Sequence, residues 1–162
     1  MGKVRGMNFK ILPLWSNDLV PLSQFYHSVW HETHAPLQDR RVAASRNVEF
    51  FGARLRRWQN NTRVAWHNSL VAGFVSWDGA ALDALFVGPE FRSAGLGATL
   101  LATAEAEMLK RGQTELCLDC VLENEAGRRF YEGHGWRVLK VADCADEKLP
   151  EIITRHWVLV KP

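Results

Sequence analysis

The sequence predicts a single α/β domain with a mixed central sheet flanked by helices. Apolar residues recur at strand-like and helix-like spacing in the order β-α-α-β-β-β-α-β-α-β-β. No internal repeat, linker or low-complexity stretch interrupts that order. The chain has 162 residues, 47% of them hydrophobic, which is material for one ordinary domain with one packed core. The domain is expected to span residues 1–162, with residues 1–7 as a short N-terminal extension.

Asn8–Pro13 is a short apolar run ended by proline, which reads as a first strand. Ser16-Asn17-Asp18 offers helix N-cap residues. Leu19, Leu22, Phe25, Tyr26, Val29 and Trp30 then recur at helical spacing. This helix should stop near His34, because Pro36 disfavours helix in the residue before it. A second helix is expected over Val48–Gln59, with Phe50, Phe51, Leu55 and Trp58 on one side. Thr62–Trp66 and Ser69–Trp77 read as strands joined by a tight turn at His67-Asn68, and Asp78-Gly79 is a strong turn pair. Ala81–Val87 is a further strand. Gly95–Arg111 is a long helix that Gly112 is placed to end. Glu115–Leu122 is a strand, Glu125–Glu132 a short helix, and Gly133-His134-Gly135 its exit. Trp136–Val141 and Ile153–Val160 close the domain as strands.

Composition removes several classes of function. A formal charge of +2 lacks the strongly basic surface of a general nucleic-acid binder, though it permits a local basic pocket. Three cysteines form no disulfide-like framework. No apolar run approaches the roughly 18 residues of a membrane span. The N-terminus lacks the apolar stretch of a secretory signal. A reduced, cytoplasmic setting is therefore expected, without nucleic acid or membrane as partner. Seven tryptophans suit either packing or the lining of a cleft, and composition leaves both open.

The chemistry concentrates in Leu85-Phe86-Val87-Gly88-Pro89-Glu90-Phe91-Arg92-Ser93-Ala94-Gly95-Leu96-Gly97-Ala98. A strand feeds a loop, and the loop opens a helix. The first N–H groups of a helix lack internal partners and sit at the positive end of its dipole, so a diphosphate placed there meets several donors. Gly95 and Gly97 remove side chains that would hold a ligand off the backbone. Arg92 adds a permanent positive charge nearby. Neither a P-loop Gly-Lys-Ser/Thr nor a third glycine at dinucleotide-fold spacing is present.

Val87-x-Pro89-x-x-Arg92-x-x-Gly95-x-Gly97, with Leu100-Leu101 behind it, resembles the acetyl-CoA signature of the GNAT superfamily of N-acetyltransferases. The resemblance implies acetyl-CoA as co-substrate. It implies that Arg92, Ser93, Ala94, Gly95, Leu96, Gly97 and Ala98 surround the pyrophosphate, and that the backbone of Leu85, Phe86 and Val87 pairs with the pantetheine arm as an added strand would. Leu118–Trp136 is similar to the later motif of that family: a strand, an asparagine, a short helix ending in an aromatic-Tyr pair, then a glycine-aromatic step. The two motifs cover about Ala81–Val138. Gly127 stands where alanine is usual and predicts a looser helix, and His134-Gly135-Trp136 replaces the frequent Leu-Gly-Phe.

Asn124 is a favoured N-cap type directly before a helix, and the resemblance adds a cofactor contact. Tyr131 is implied as the acid that protonates the departing CoA thiolate; a phenol with a pKa near 10 carries its proton at neutral pH. The acceptor, a primary amine on a small molecule or a peptide N-terminus, must lose a proton before it attacks. Asp83 and Asp119 lie at positions where family members carry a base, and both remain candidates. Glu123 sits beside the cap and is less suited. Direct attack in a ternary complex is expected, without a cysteine relay. Cys117 and Cys120 differ by three, so on a strand they point to opposite faces.

No metal is expected. His31-Glu32-Thr33-His34 has a spacing of three, where a zinc-protease motif needs four. His27, His31 and His34 fall on one side of the first helix, and with Trp30 they could border the acceptor cleft. A non-catalytic acyl-CoA sensor of the same fold is the alternative function. The closing strands could leave an edge that pairs in a homodimer.

Overall fold

The computed structural model describes residues 3–4 and 7–162. β1 (Lys3–Val4) pairs antiparallel with β2 (Met7–Asn8). Of the expected extension, residues 1, 2, 5 and 6 lie outside the described residues. The remaining strands form one seven-stranded sheet in the order β3-β4-β5-β6-β7-β9-β8. These are β3 (Lys10–Pro13), β4 (Thr62–His67), β5 (Leu70–Asp78), β6 (Ala81–Val87), β7 (Leu116–Val121), β8 (Arg137–Ala145) and β9 (Ile153–Lys161). Every pairing is antiparallel except β6 with β7, which is parallel and joined in register only at Ala81 and Cys117. Beyond that point the two strands diverge.

Alternation along the strands separates two cores. Ala65, Val75, Leu116 and Leu118 face α4 (Leu96–Lys110), which buries Leu96, Leu100, Leu101, Ala104 and Met108 against them. Val64, Phe74 and Ala84 face α1 (Leu19–Thr33) and α3 (Val48–Arg57), meeting Leu22, Tyr26, Trp30, Phe51 and Leu55. Burying one aliphatic or aromatic side chain contributes about 1.5–3 kcal/mol, so the fully buried rows on β5 and α4 fix the sheet between its helix layers.

A β-bulge interrupts β6. Ser76 pairs with Ala84 and Trp77 with Leu82, leaving Asp83 without an opposite residue on β5. Bulges bend a strand and re-aim its side chains. Here the bulge brings Asp83, which strict alternation would send with Leu85 and Val87 towards α4, into contact with Arg54 of α3.

The expected order of elements is present, with four local differences. A short helix α2 (Arg40–Ser45) precedes α3; only Val42 is buried, so no apolar period betrays it, and Asp39 caps it through Arg41 N at 2.8 Å. The first long strand begins at Lys10 because Met7 and Asn8 pair with β1. Ser16-Asn17-Asp18 forms a 3-10 turn, and the Asp18 side chain accepts from Trp15 N instead of capping α1. β8 extends to Ala145, where alternating half-exposed residues carry no apolar signal. β8 is the strand at this end of the sheet, with β9 inside it. Asn47 caps α3 by accepting from Phe50 N at 2.8 Å, and α5 (Glu125–Glu132) follows β7 with the bounds that the sequence predicts.

Candidate active site

The divergence of β6 from β7 leaves a cavity of about 260 Å³. Leu82–Val87 form one wall, Leu118–Cys120 the other, and Asn124, Gly127, Phe130 and Tyr131 of the α5 region its floor. A second cavity of about 320 Å³ lies between the α1–α3 helices and β7, β8 and β9. His34, Asp83, Phe86, Asp119 and Cys120 line both. Two compartments thus meet over two carboxylates. A third hollow, at the start of α4, is lined by Val87, Arg92, Ser93, Gly95–Ala98 and Phe130.

Ser93 has φ 60° and Gly95, the N-cap of α4, has φ 81°. The left-handed backbone is strained for any residue with a Cβ, so the loop holds its shape through Gly95. Thr99 N bonds back to Gly95 O at 3.2 Å. The N–H groups of Leu96, Gly97 and Ala98 precede that first helical bond and suit an anion. Arg92 borders this hollow, but its charge is already engaged. Nη1 and Nη2 grip Glu32 at 3.0 and 2.8 Å, and Nε donates to Val87 O at 3.1 Å. The backbone donors are therefore the uncommitted polar groups at this helix start. The Glu32–Arg92 pair is about 40% exposed and is worth no more than about 1 kcal/mol. Glu32→Gln should move Tm by no more than about 4 °C in a thermal melt.

Asn124 caps α5 by accepting from Gly127 N at 3.0 Å. A Cβ on Gly127 would lie 2.6 Å from Asn124 Nδ2. The glycine lets the amide cross the first turn beside the cavity. The looser helix predicted from Gly127 is braced by this cap and by Arg128–Glu132 at 2.7 Å.

Tyr131 packs edge-on against Phe130 and Trp136. Its hydroxyl makes no hydrogen bond among the described residues. Burial, with Cys120 nearby, pushes the phenol well above its usual pKa, so it stays protonated. Cys120 is pushed up to about 11, chiefly by burial, and remains a thiol.

The two acids differ. Asp83 Oδ1 accepts from Arg54 Nη2 at 2.7 Å, and Ser76 Oγ lies 3.5 Å from Oδ2. Burial raises its pKa and outweighs the guanidinium. Arg54 also pairs with Glu147, tying α3 to the β8–β9 connection. Asp119 accepts from His156 Nδ1 at 2.5 Å, and this bond holds its carboxyl below the usual range.

Of His27 and His31 in α1 and His34 at its C-terminal cap, only His34 lines the two cavities. His31 Nε2 contacts Arg46 O at 2.7 Å, and the His27 ring lies tilted against His31 with centroids 4.4 Å apart. Trp30 lines the second cavity. Burial pushes His34 down to about 4, so it is neutral at pH 7. From about pH 6.5 to about 4 the unfolded chain protonates this residue while the folded chain does not. Stability should therefore fall with pH across that window. Urea titrations at pH 7 and pH 5 should show a smaller drop in His34→Gln than in the parent.

Sequence reasoning missed His156, Arg46, Arg54, Asp146 and Glu147. Each is an ordinary polar residue in its own segment, and only the tertiary fold brings them to the cleft. Cys117 and Cys120 lie three apart on β7, and Cys117 is half-buried where Cys120 is buried.

The model of the Acetyltransferase (GNAT) family matches residues 22–136. No curated protein matches the chain. The fold is similar to a GCN5-related N-acetyltransferase from Rhodopseudomonas palustris, with TM-score 0.76, 17% identity and coverage of 99% of this chain and 98% of that one. It is also similar to the PaiA N-acetyltransferase of Thermoplasma acidophilum in complex with coenzyme A, with TM-score 0.74, 24% identity and coverage of 96% and 99%. The Escherichia coli ribosomal-protein-S18-alanine N-acetyltransferase has TM-score 0.65 and 20% identity over 96% and 94%. Strand divergence, the glycine-marked start of α4 and the capped helix α5 lie within the matched segment, and the chain belongs to the GNAT family of acetyltransferases.

Proposed function

We propose that this protein transfers the acetyl group of acetyl-CoA to a primary amine by direct attack in a ternary complex. The observation that carries this reading is the meeting of two cavities over Asp83, Asp119 and Cys120, with the first turn of α4 near one of them. Pyrophosphate would sit on the N–H groups of Leu96, Gly97 and Ala98, with Ser93, Ala94 and Gly95 shaping the loop and Arg92 at its border. The pantetheine arm would run along Leu85, Phe86 and Val87, whose outer edge lacks a paired strand. The thioester would then lie between Asn124, Tyr131 and the two carboxylates, and the amine would enter from the second cavity.

Tyr131 is the acid in this reading. Its raised pKa makes it first a hydrogen-bond donor to the departing sulfur and a proton source as negative charge builds there. Cys120, kept as a thiol, favours direct attack over a cysteine relay. A sensor that binds acyl-CoA without turnover has less use for an unbonded phenol in its donor cavity. The acceptor is a small amine or a peptide N-terminus; the name of the E. coli neighbour points to a protein alanine, and its identity is too low to choose. A cytoplasmic setting fits the reading, and among the described residues no helix is long and apolar enough to cross a membrane. A homodimer would use the exposed Leu139 and Val141 on edge strand β8; light scattering measures it.

Thiol release from acetyl-CoA across a panel of amines tests the function. Turnover with at least one amine is expected, and CoA binding without turnover would favour the sensor. Calorimetry should give affinity for CoA and none for ATP or NAD. Gly127→Ala should weaken CoA binding several-fold, because the methyl displaces Asn124. Its Tm should stay within a few degrees, since the ~1 kcal/mol propensity gain offsets a cap loss of similar size.

A further inference from the structure

The proton acceptor for the amine is the open part of this chemistry. Asp83 is a poor candidate on geometry. Its Oδ1 holds Arg54, and the same guanidinium holds Glu147. Asp119 alone is little better. His156 bonds its carboxylate and holds it in the ionised form, which makes it a weak base. That same bond points to a third group. An imidazole whose Nδ1–H donates to a carboxylate presents its lone pair at Nε2, which is how an acid–imidazole pair makes a base in nucleophilic catalysis.

β7 and β9 set this pair. Val121 is opposite His156 and Val158 opposite Asp119, so the two side chains are diagonal neighbours on one face of the sheet. That face forms a wall of the second cavity, which both side chains line. Asp119 also lines the first cavity. The His156 side chain is 18% exposed, and its Nε2 makes no hydrogen bond among the described residues. We propose that His156 takes the proton from the acceptor ammonium through Nε2, and that Asp119 is the positioning residue that holds the ring by Nδ1–H.

This rests on the acetyl-transfer reading and assigns one of its protons. The ammonium nitrogen loses two protons in all. The first passes to His156 Nε2 and then to solvent, and the imidazolium is balanced meanwhile by Asp119. The freed lone pair forms the N–C bond to the thioester carbonyl, and the C–S bond breaks. Tyr131 gives its proton to the sulfur, and the second proton of the nitrogen restores the phenol. The products are the amide, CoA thiol and one proton. Other charged or titratable groups also face this ring. Cys144 Sγ of β8, an Asp119 carboxylate oxygen and one ring nitrogen of His156 lie within 4.8 Å of one another. Arg54 of α3, Glu147 of the β8–β9 connection, Asp83 of β6 and His34 after α1 line the same cavity. The Arg46–Asp146 pair closes its far side.

The test compares His156→Asn, Asp119→Asn and the double variant on the full chain. With an alkylamine acceptor, kcat should fall about 10²-fold in each single variant, and acetyl-CoA KM should change little. The double variant should lose no more than the worse single one. The defect should shrink several-fold with an aromatic amine, which is already neutral at the assay pH. An unaffected kcat in His156→Asn overturns the assignment, as does a defect that parallels loss of a bound metal ion. Two-bond 15N–1H spectra need no turnover and separate this inference from the reading beneath it. Neutral His156 should carry its proton on Nδ1, and Asp119→Asn should release that preference. A proton on Nε2 in the parent protein sinks the inference while leaving acetyl transfer standing.

Discussion

Tyr131→Phe is expected to lower kcat by about 10²-fold or more while changing acetyl-CoA KM by less than about threefold. The substitution removes one oxygen. The ring keeps its edge-on packing with Phe130 and Trp136, and no hydrogen bond among the described residues is lost. Tm should therefore hold within a few degrees. What disappears, in the proposed mechanism, is the donor for the departing sulfur. The defect should shrink for thioesters of more acidic thiols, which leave without help. Steady-state kinetics with acetyl-CoA and an activated thioester measure both effects. An unchanged kcat removes Tyr131 from the mechanism.

Arg46→Ala should be the most destabilising single change outside the apolar core. Arg46 Nη2 meets Asp146 Oδ1 at 2.5 Å, and the two side chains are only 10% and 7% exposed. Asp146 also accepts from Lys148 N at 3.0 Å and Leu149 N at 2.9 Å. Removing the arginine leaves a buried carboxylate without its cation, which costs about 3–5 kcal/mol. For a domain of this size that lowers Tm by about 10 °C or more. The pH dependence follows from Asp146. Burial alone would raise its pKa, but Arg46 and the two N–H groups outweigh it and hold it down. A depressed carboxylate contributes its stability in full above the unfolded value near 4 and loses it as pH falls through the lower folded value. The gap between Arg46→Ala and the parent should therefore close in acid. Denaturant titrations from pH 7 to pH 3 measure it.

The residues proposed for the donor half could be named from the sequence because they are local. Loop, glycines, cap and Tyr131 all lie within two strand–helix units, and the structure puts α5 on the bounds that its spacing predicts. Asp83 could be named but not placed. Its orientation depends on a bulge, which is a mismatch between strands that neither strand encodes alone. The second cavity, proposed for the acceptor, is assembled from α1, α3, β7, β9 and the β8–β9 connection. His156 sits in an unremarkable β9 segment, and its meaning comes from a diagonal neighbour 37 residues away in the chain. Helix α2 stayed hidden because a single buried residue makes no period.

The one-residue junction between β6 and β7 has a consequence for the exchange of protons with solvent. Past Ala81, every second amide of β6 faces an empty ladder position instead of a carbonyl. In the free protein those amides should exchange deuterium early, although they belong to an interior strand. An occupant that hydrogen-bonds along that edge should slow them selectively and leave the β5-facing amides of the same strand as protected as before. Half of one strand would then report, residue by residue, how far along the gap a ligand extends.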